Sequence, residues 1–244
     1  MNVAFPAPAP SRPGRRLPSW PSVLAVVAHP DDESFGLGAV IDLLSAGGTA
    51  VHILCYTHGG ASTLNETRAD LHRARESELR QASAELGVAS VTLLDYLDGR
   101  LAEIATAELA AQAAAAVASS GASGLLVFDD TGITGHPDHR SATIAAVLAG
   151  RHMGLPVLAW ALPDAVAARL SAETGQHFAG RPETMMDLCV RVSRDRQRRA
   201  ALLHASQISP AAVLWRRLQL QGECEHLRWL VRPSAAAARE NARK

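Results

Sequence analysis

Two short segments of this 244-residue chain each begin with His-Pro-Asp and carry side chains that could do chemistry. The first, His-Pro-Asp-Asp-Glu at residues 29–33, follows the apolar run at residues 23–28. The second, His-Pro-Asp-His at residues 136–139, closely follows the apolar run at residues 125–128. In an open α/β sheet, ligands bind outside the carboxyl ends of the strands. The spacing therefore predicts that both segments meet in one crevice and form an active site.

The imidazole and carboxylate groups of these segments could hold a metal ion. A catalytic zinc site has three protein ligands and leaves the fourth position to water, and His29, Asp32 and His139 would supply that number. Residues three apart lie on one side of a helical turn, so His29 and Asp32 can face one ion while Asp31 points elsewhere. Asp31 is then a second carboxylate beside the metal. In the second segment, one histidine can be a ligand and the other a proton donor.

A purely structural interpretation competes with this metal site. Proline at the first helical position and acids in the first turn stabilise a helix start, which would account for residues 30–33. It does not account for the three histidines, because an imidazole gains nothing at the positive end of a helix. Two such segments, each after a predicted strand, favour a shared metal site.

Four further motifs stand in order along the chain. They are residues 75–78 leading into Leu-Gly-Val at 86–88, Asp-Gly-Arg-Leu at 98–101, His-Ala-Ser-Gln at 204–207 and Glu-His-Leu-Arg at 225–228. Together with the two His-Pro-Asp segments, from about residue 22 to about residue 229, the chain resembles the zinc-dependent N-deacetylases of the PIG-L/LmbE type. The two His-Pro-Asp segments are the specific part of this resemblance.

The resemblance implies hydrolysis of an N-acyl group, commonly the acetyl group of an N-acetylglucosaminyl compound, with one Zn²⁺ per chain. It implies that His29, Asp32 and His139 bind zinc, that Asp31 is the general base and that His136 assists the transition state. Physical chemistry agrees, since zinc lowers the pKa of its water to about 7 and a nearby carboxylate can take the proton. The metal and His136 would stabilise the oxyanion. Other divalent metals also accept these ligands.

Three more residues are candidates for the site. Asp138 could tune or orient His136, or it could only be an acid at a helix start. The family match favours a substrate contact for Arg75, whereas its spacing from Glu78 also allows a solvated ion pair on a charged helix. His58 ends the second predicted strand beside the crevice and could contact the substrate.

Composition is compatible with a small-molecule substrate but decides little. The 24 basic residues equal the 24 acidic ones and aromatic residues are sparse, so nucleic acid and anionic membrane surfaces are not expected partners. No run approaches the roughly 20 apolar residues that cross a bilayer. Three widely spaced cysteines, Cys55, Cys189 and Cys224, indicate buried thiols in a reducing cytoplasm.

Apolar runs alternate with helical patterns, which predicts a Rossmann-like α/β fold with a mostly parallel sheet and helices on both faces. We expect one deacetylase-like domain at residues 22–232, a disordered proline-rich tail at residues 1–21 and a frayed tail at residues 233–244. The predicted strands are residues 23–28, 50–57, 90–95, 124–128, 156–161 and 186–192. The predicted helices are residues 34–46, 65–86, 106–118, 137–151, 164–174 and 194–205.

Two alternative functions remain open. A zinc-dependent amidase could act on a non-sugar amide or a thiol conjugate, although some actinobacterial thiol-pathway relatives have a tyrosine where this chain has Thr134. A non-catalytic, doubly wound nucleotide-binding or regulatory module is disfavoured, because no glycine-rich phosphate loop follows any predicted strand.

Overall fold

The computed structural model describes residues 14–62, 70–209 and 211–234. Within these ranges strands and helices alternate over most of the chain. The strands are β1 (Ser22–Val27), β2 (Ala50–Thr57), β3 (Ser90–Tyr96), β4 (Leu125–Phe128), β5 (Val157–Pro163), β6 (Gly180–Arg181), β7 (Leu188–Arg191) and β8 (Cys224–Val231). The helices are α1 (Asp32–Phe35), α2 (Gly38–Ala46), α3 (Leu71–Glu85), α4 (Thr106–Ser120), α5 (Pro137–Met153), α6 (Asp164–Thr174), α7 (Asp195–Leu203) and α8 (Val213–Gln221).

The sheet has the strand order β3-β2-β1-β4-β5-β8-β7, and β6 pairs with β5. The first five strands of this order are parallel, whereas β8 runs antiparallel to both β5 and β7. The order reverses at β1, which has β2 on one side and β4 on the other. This is the position at which open α/β sheets form a crevice outside the carboxyl ends of their strands.

Helices cover both faces of the sheet and bury β1 completely. Alternate β1 side chains point to opposite faces. Val23, Ala25 and Val27 belong to a core formed with α2, α3 and α7, while Leu24 and Val26 belong to a core formed with α4 and α5. The mostly parallel sheet with helices on both faces, predicted from the sequence, is confirmed. Strands β1 and β4 are buried in the core, and this burial positions the loops that follow them.

Several predicted boundaries change. The helix predicted at residues 34–46 is two helices, α1 and α2, which are interrupted at Gly36 and Leu37. Gly36 packs so closely on Phe128 that an added Cβ would lie 2.2 Å from the ring. Strand β8 and helix α8 were not predicted. Strand β8 mixes charged and apolar side chains without the long apolar run of the parallel strands, so its sequence gave little signal. Of the predicted helix at residues 65–86, residues 65–69 lie outside the described ranges.

Residues 14–20, which we assigned to the amino-terminal tail, pack against the domain. Gly14 pairs with Leu188, and Trp20 is buried with its ring 6.0 Å from that of Trp229. The large apolar side chain of Trp20 explains why this end of the segment is held. The tail prediction is therefore wrong for this stretch.

The expectation of three buried thiols is also wrong. Cys189 and Cys224 lie on the antiparallel neighbours β7 and β8, with Cα atoms 6.2 Å apart, and they form a disulfide. Cys55 is a buried free thiol. Disulfides persist mainly in oxidising surroundings, so cysteine usage no longer supports a reducing compartment. Within the described part of the chain, no helix combines the length and apolar character needed to cross a membrane.

Candidate metal centre and active site

Three predicted metal ligands converge at the carboxyl ends of β1 and β4. His29 follows β1, Asp32 begins α1, and His139 lies in the first turn of α5, which follows β4. Because β1 and β4 are adjacent and parallel, the two segments emerge side by side. His29 Nδ1 lies 3.3 Å from His139 Nε2, and His139 Nε2 lies 3.0 Å from Asp32 Oδ1. The donor atoms of the three residues thus surround one point.

Each histidine ligand has one ring nitrogen bound to a neighbouring group, which determines which nitrogen is left for the metal. His29 Nε2 lies 2.9 Å from Asp98 and 3.3 Å from Asp138, so its Nδ1 is the free nitrogen. His139 Nδ1 lies 3.2 Å from the Gly132 carbonyl, which leaves Nε2 free. Such partners orient metal-binding histidines and set their tautomers.

The carboxylate of Asp32 is oriented in the same way. Its Oδ2 accepts hydrogen bonds from the backbone N–H groups of Ala28, at 3.1 Å, and His29, at 2.9 Å. Its Oδ1 is then left to face His139. Zinc at 2.0–2.1 Å from tetrahedral ligands places those ligands roughly 3.3 Å apart. The observed separations are close to this value, so the three residues fit the metal that the sequence predicted.

Electrostatics keep the carboxylate of Asp32 ionised. Burial would raise its pKa, but the His139 and His29 charges and the hydrogen bonds it accepts hold the pKa well below the usual range. Burial likewise lowers the pKa of His29, yet the contacts with Asp138 and Asp98 outweigh it and raise the pKa to about 10. A divalent cation must therefore displace a proton from His29 when it binds.

Asp31 projects into the same cavity from a left-handed backbone with φ of 107°. Two contacts hold this conformation. The backbone N–H of Asp31 donates to Glu33 Oε2 at 3.0 Å, and Arg75 Nη2 lies 3.0 Å from Asp31 Oδ2. Burial raises the pKa of Asp31 to about 6, although the Arg75 cation opposes this rise. A carboxylate with a pKa near neutrality can both take and return a proton.

His136 presents a hydrogen-bond donor to the cavity. Its Nδ1 accepts from the backbone N–H of Asp138 at 3.2 Å and so caps α5. In a neutral ring the proton then resides on Nε2. Burial, followed by the neighbouring charges of His139 and His29, lowers the pKa of His136, which favours this neutral form.

Comparison with known proteins places the chain in a family. The family PIG-L, described as GlcNAc-PI de-N-acetylase, matches residues 24–149. The chain belongs to the PIG-L family. Residues 24–149 include both His-Pro-Asp segments. The resemblance seen in the sequence is thus confirmed.

Two curated relatives show what this chain is similar to. A probable N-acetylglucosaminyl-phosphatidylinositol de-N-acetylase from Schizosaccharomyces pombe is 34% identical over 119 residues, which are 48% of this chain and 47% of the relative. A 1D-myo-inositol 2-acetamido-2-deoxy-alpha-D-glucopyranoside deacetylase from Mycolicibacterium vanbaalenii is 34% identical over 179 residues, 62% of this chain and 63% of the relative. The chain thus spans about half to just under two thirds of these relatives.

A solved structure shares the fold of this PIG-L family chain. N,N'-diacetylchitobiose deacetylase from Pyrococcus horikoshii superimposes with a TM-score of 0.66 at 21% identity, covering 87% of this chain and 85% of that protein. At this level of identity the similarity establishes the common architecture.

The Asp138 carboxylate contacts backbone groups and the His29 ring. Asp138 accepts hydrogen bonds from the backbone N–H groups of Gly99, at 2.7 Å, and Leu101, at 3.1 Å, and it approaches the His29 ring. We predicted that Asp138 tunes or orients His136. The carboxylate contacts the His29 ring and not the His136 side chain, but its charge opposes the lowering of the His136 pKa by burial. His136 instead accepts from the backbone of Asp138.

Arg75 and His58 also differ from expectation. Arg75 is buried and donates to the carbonyl groups of Gly59 and Pro30 as well as to Asp31, so it is not part of a solvated ion pair. His58 Nε2 lies 2.9 Å from Asp95, and its ring stacks on His72 outside the set of described cavity residues.

Two residues of the motifs named in the sequence were not predicted as site residues. Asp98 contacts His29 and lines the cavity. Its position just after β3 is the signal that could have revealed it, because the carboxyl ends of parallel strands meet at one edge. Glu33 is fully buried, where its Oε1 lies 2.7 Å from His204 Nε2. No local pattern reveals that pair, since its members are 171 positions apart.

Proposed function

We propose that the chain is a metal-dependent hydrolase that removes an N-acyl group, N-acetyl among them, from a small molecule containing an amino sugar. The proposal puts one Zn²⁺ on His29, Asp32 and His139. The observation that carries it is the pairing of these three converging donors with Asp31, a cavity-facing carboxylate that does not belong to the ligand set. Both curated relatives are named as deacetylases of acetamido sugar compounds, which supports the substrate class.

Bound zinc supplies a Lewis acid that polarises the acyl oxygen and makes water more acidic. Asp31 takes the proton of the attacking water, because its carboxylate faces the cavity and its pKa of about 6 is close to neutrality. Arg75 and Glu33 hold Asp31 in its left-handed conformation, so the base is oriented before the substrate arrives.

His136 acts on the acyl oxygen. Its Nε2–H is available because Nδ1 accepts from the helix backbone. A donor aimed at the developing oxyanion stabilises charge where it appears. As the C–N bond breaks, Asp31 passes the proton that it took from water to the leaving nitrogen, and His136 keeps its Nε2–H.

A polar part of the cavity suits the sugar. Ser62, Asp98 and Gln207 are among its lining residues and have hydroxyl, carboxylate and amide groups that suit sugar hydroxyls. The chain has Thr134 in the cavity wall, which supplies a hydroxyl but no phenol. Some thiol-pathway relatives have a tyrosine at this position, so the threonine makes a thiol-pathway substrate the weaker candidate.

The test is a deacylation screen of the zinc-loaded full chain over acetylated amino sugars, non-sugar acetamides and thiol conjugates, with the free amine measured as product. We expect turnover of N-acetylglucosaminyl compounds and its loss with a strong chelator. Turnover of only the non-sugar amides would contradict the substrate class but leave the hydrolase intact. Full activity in metal-free protein would contradict the zinc mechanism.

A further inference from the structure

The cavity beside the metal centre has apolar as well as polar lining residues. The whole cavity measures about 460 Å³. We call its apolar region the apolar lobe, which is lined by Phe35, Phe128, Trp160, Phe178, Leu214 and the side chain of Arg217. Aliphatic groups are stabilised by burial against walls of this kind.

Ring contacts order the apolar lobe from the metal centre outward. Phe128 stands edge-on to the ligand His139, with centroids 5.0 Å apart, and lies 5.4 Å from Trp160. The guanidinium carbon of Arg217 lies 4.8 Å from the Trp160 ring centroid. An acyl group whose carbonyl carbon sits at the metal centre can therefore extend along Phe128 and Trp160 toward a cation.

Arg217 carries more positive charge into this lobe than its surroundings neutralise. It is only 5% exposed. Arg194, also buried, donates to Glu225, while Arg217 Nη1 lies 3.8 Å from the same carboxylate. Among the described residues, Glu225 is the acid placed against both guanidinium groups. Its other oxygen already accepts from Trp160 Nε1 at 2.6 Å.

This cluster of two cations and one anion is costly in a buried position unless a further anion joins it. Burial lowers the pKa of Arg217 to about 10, a value at which the side chain is still charged at neutral pH. The Arg217 cation in the apolar lobe therefore matches a substrate acyl chain that ends in a negatively charged group.

We propose that the apolar lobe binds the acyl group of the substrate and that Arg217 pairs with a carboxylate at the end of that acyl chain. The proposal rests on the hydrolase function above and names a substrate class for it, the amides of short dicarboxylic acids. One water is consumed, the amide C–N bond breaks and a C–O bond forms. The products are a dicarboxylate and the protonated amine, whose nitrogen has taken both protons of the water.

Arg217 also has structural contacts, so the test must distinguish binding of a substrate carboxylate from stabilisation of the fold. The guanidinium donates to the Phe35 carbonyl and to Gln221, and its stem packs over Trp160. A merely structural role affects every substrate alike. A carboxylate-binding role affects only substrates that carry the terminal carboxylate.

The experiment measures kcat/KM of the zinc-loaded full chain on glucosamine amides matched in length. Succinyl, glutaryl and adipoyl amides are compared with butanoyl, pentanoyl and hexanoyl amides, and N-acetylglucosamine is the reference. We expect the best carboxylated amide to exceed its matched partner by at least about tenfold, the effect of one charge-assisted hydrogen bond. Arg217→Met should remove this advantage, measured as the ratio of kcat/KM for a carboxylated amide to that for its matched partner in the same variant, while Arg217→Lys should retain part of it.

The outcomes distinguish this inference from the proposed function. Equal rates for matched amides in the parent protein, or an equal loss on all substrates in Arg217→Met, would overturn the inference alone. Failure to hydrolyse any amide of the series would overturn both. A binding measurement covers a variant that does not fold: tryptophan fluorescence of the parent protein should report glutarate binding about tenfold tighter than pentanoate binding. Equal affinities would contradict the carboxylate site.

Discussion

Arg75 Nη2 lies 3.0 Å from Asp31 Oδ2, so a buried cation and the carboxylate beside the metal ligands form one unit. The contact joins α3 to the loop after β1, 44 positions earlier in the chain. We expect the contact to give Arg75 a positioning role, whereas the sequence predicted a substrate contact, and Arg75 does line the cavity. The two roles have different kinetic consequences.

Arg75→Lys should lower kcat by about 10- to 100-fold with little change in KM, because a displaced base loses its alignment with the attacked carbon. Lysine keeps the charge but cannot reach the Gly59 and Pro30 carbonyls and Asp31 at once. Steady-state kinetics and metal analysis check this, with metal content expected at the parent level. A rise in KM at constant kcat would instead identify Arg75 as a substrate contact.

Asp31→Asn and Asp32→Ala should separate chemistry from metal binding. Asparagine tolerates the left-handed backbone of residue 31 and leaves the ligands in place, so metal remains while turnover falls by about 10²-fold or more. Asp32→Ala removes a ligand, and metal and activity should fall together. The paired measurement is metal per chain beside the initial rate. Loss of metal in Asp31→Asn together with its retention in Asp32→Ala would exchange the two roles.

His204→Gln should destabilise the protein most at lower pH. Burial lowers the pKa of His204, but the charge and hydrogen bond of Glu33 outweigh it and raise the pKa above 6.5. A group whose pKa is higher in the folded than in the unfolded protein stabilises the fold. This stabilisation is complete at a pH below the unfolded-state pKa and is lost as the pH rises through the folded-state pKa. The loss in the variant should therefore be about 3 kcal/mol near pH 6, because a buried charge is left unpaired, and shrink at alkaline pH.

Urea unfolding of parent and His204→Gln proteins at several pH values measures this difference in the free energy of unfolding. Comparing the two proteins at each pH cancels groups common to both, including His29. A difference that stays constant from pH 6 to pH 9 would show that folding does not raise the pKa of His204.

Trp20→Ala should reduce the free energy of unfolding by about 3–5 kcal/mol, as removal of a buried aromatic side chain does. Trp20 is 6% exposed, packs against Trp229 and would clash with any side chain at Gly124. The control is Leu202→Ala on the exposed face of α7, where Leu202 is 59% exposed and the cost should be within about 0.5 kcal/mol. Denaturant unfolding monitored by circular dichroism compares them, and equal stability of both variants would show that residues 14–20 do not contribute to the core.

The sequence by itself determined the parts of this protein that depend on local pattern. Apolar runs of strand length and helical periodicity gave the mostly parallel sheet, because burial on both faces leaves a continuous apolar signature in strands such as β1. The placement of His29, Asp32 and His139 followed from topology, since parallel strands bring their carboxyl ends to one edge.

Only the tertiary structure decided which distant groups contact one another. The pairs Glu33–His204, Asp98–His29 and Arg75–Asp31 join elements far apart in the chain, and none of their members lies in a periodic pattern that names its partner. The same holds for Cys189 and Cys224, which are brought together by the antiparallel pairing of β7 and β8. Contacts of this kind depend on how helices and loops pack across the sheet, and local spacing carries no information about that packing.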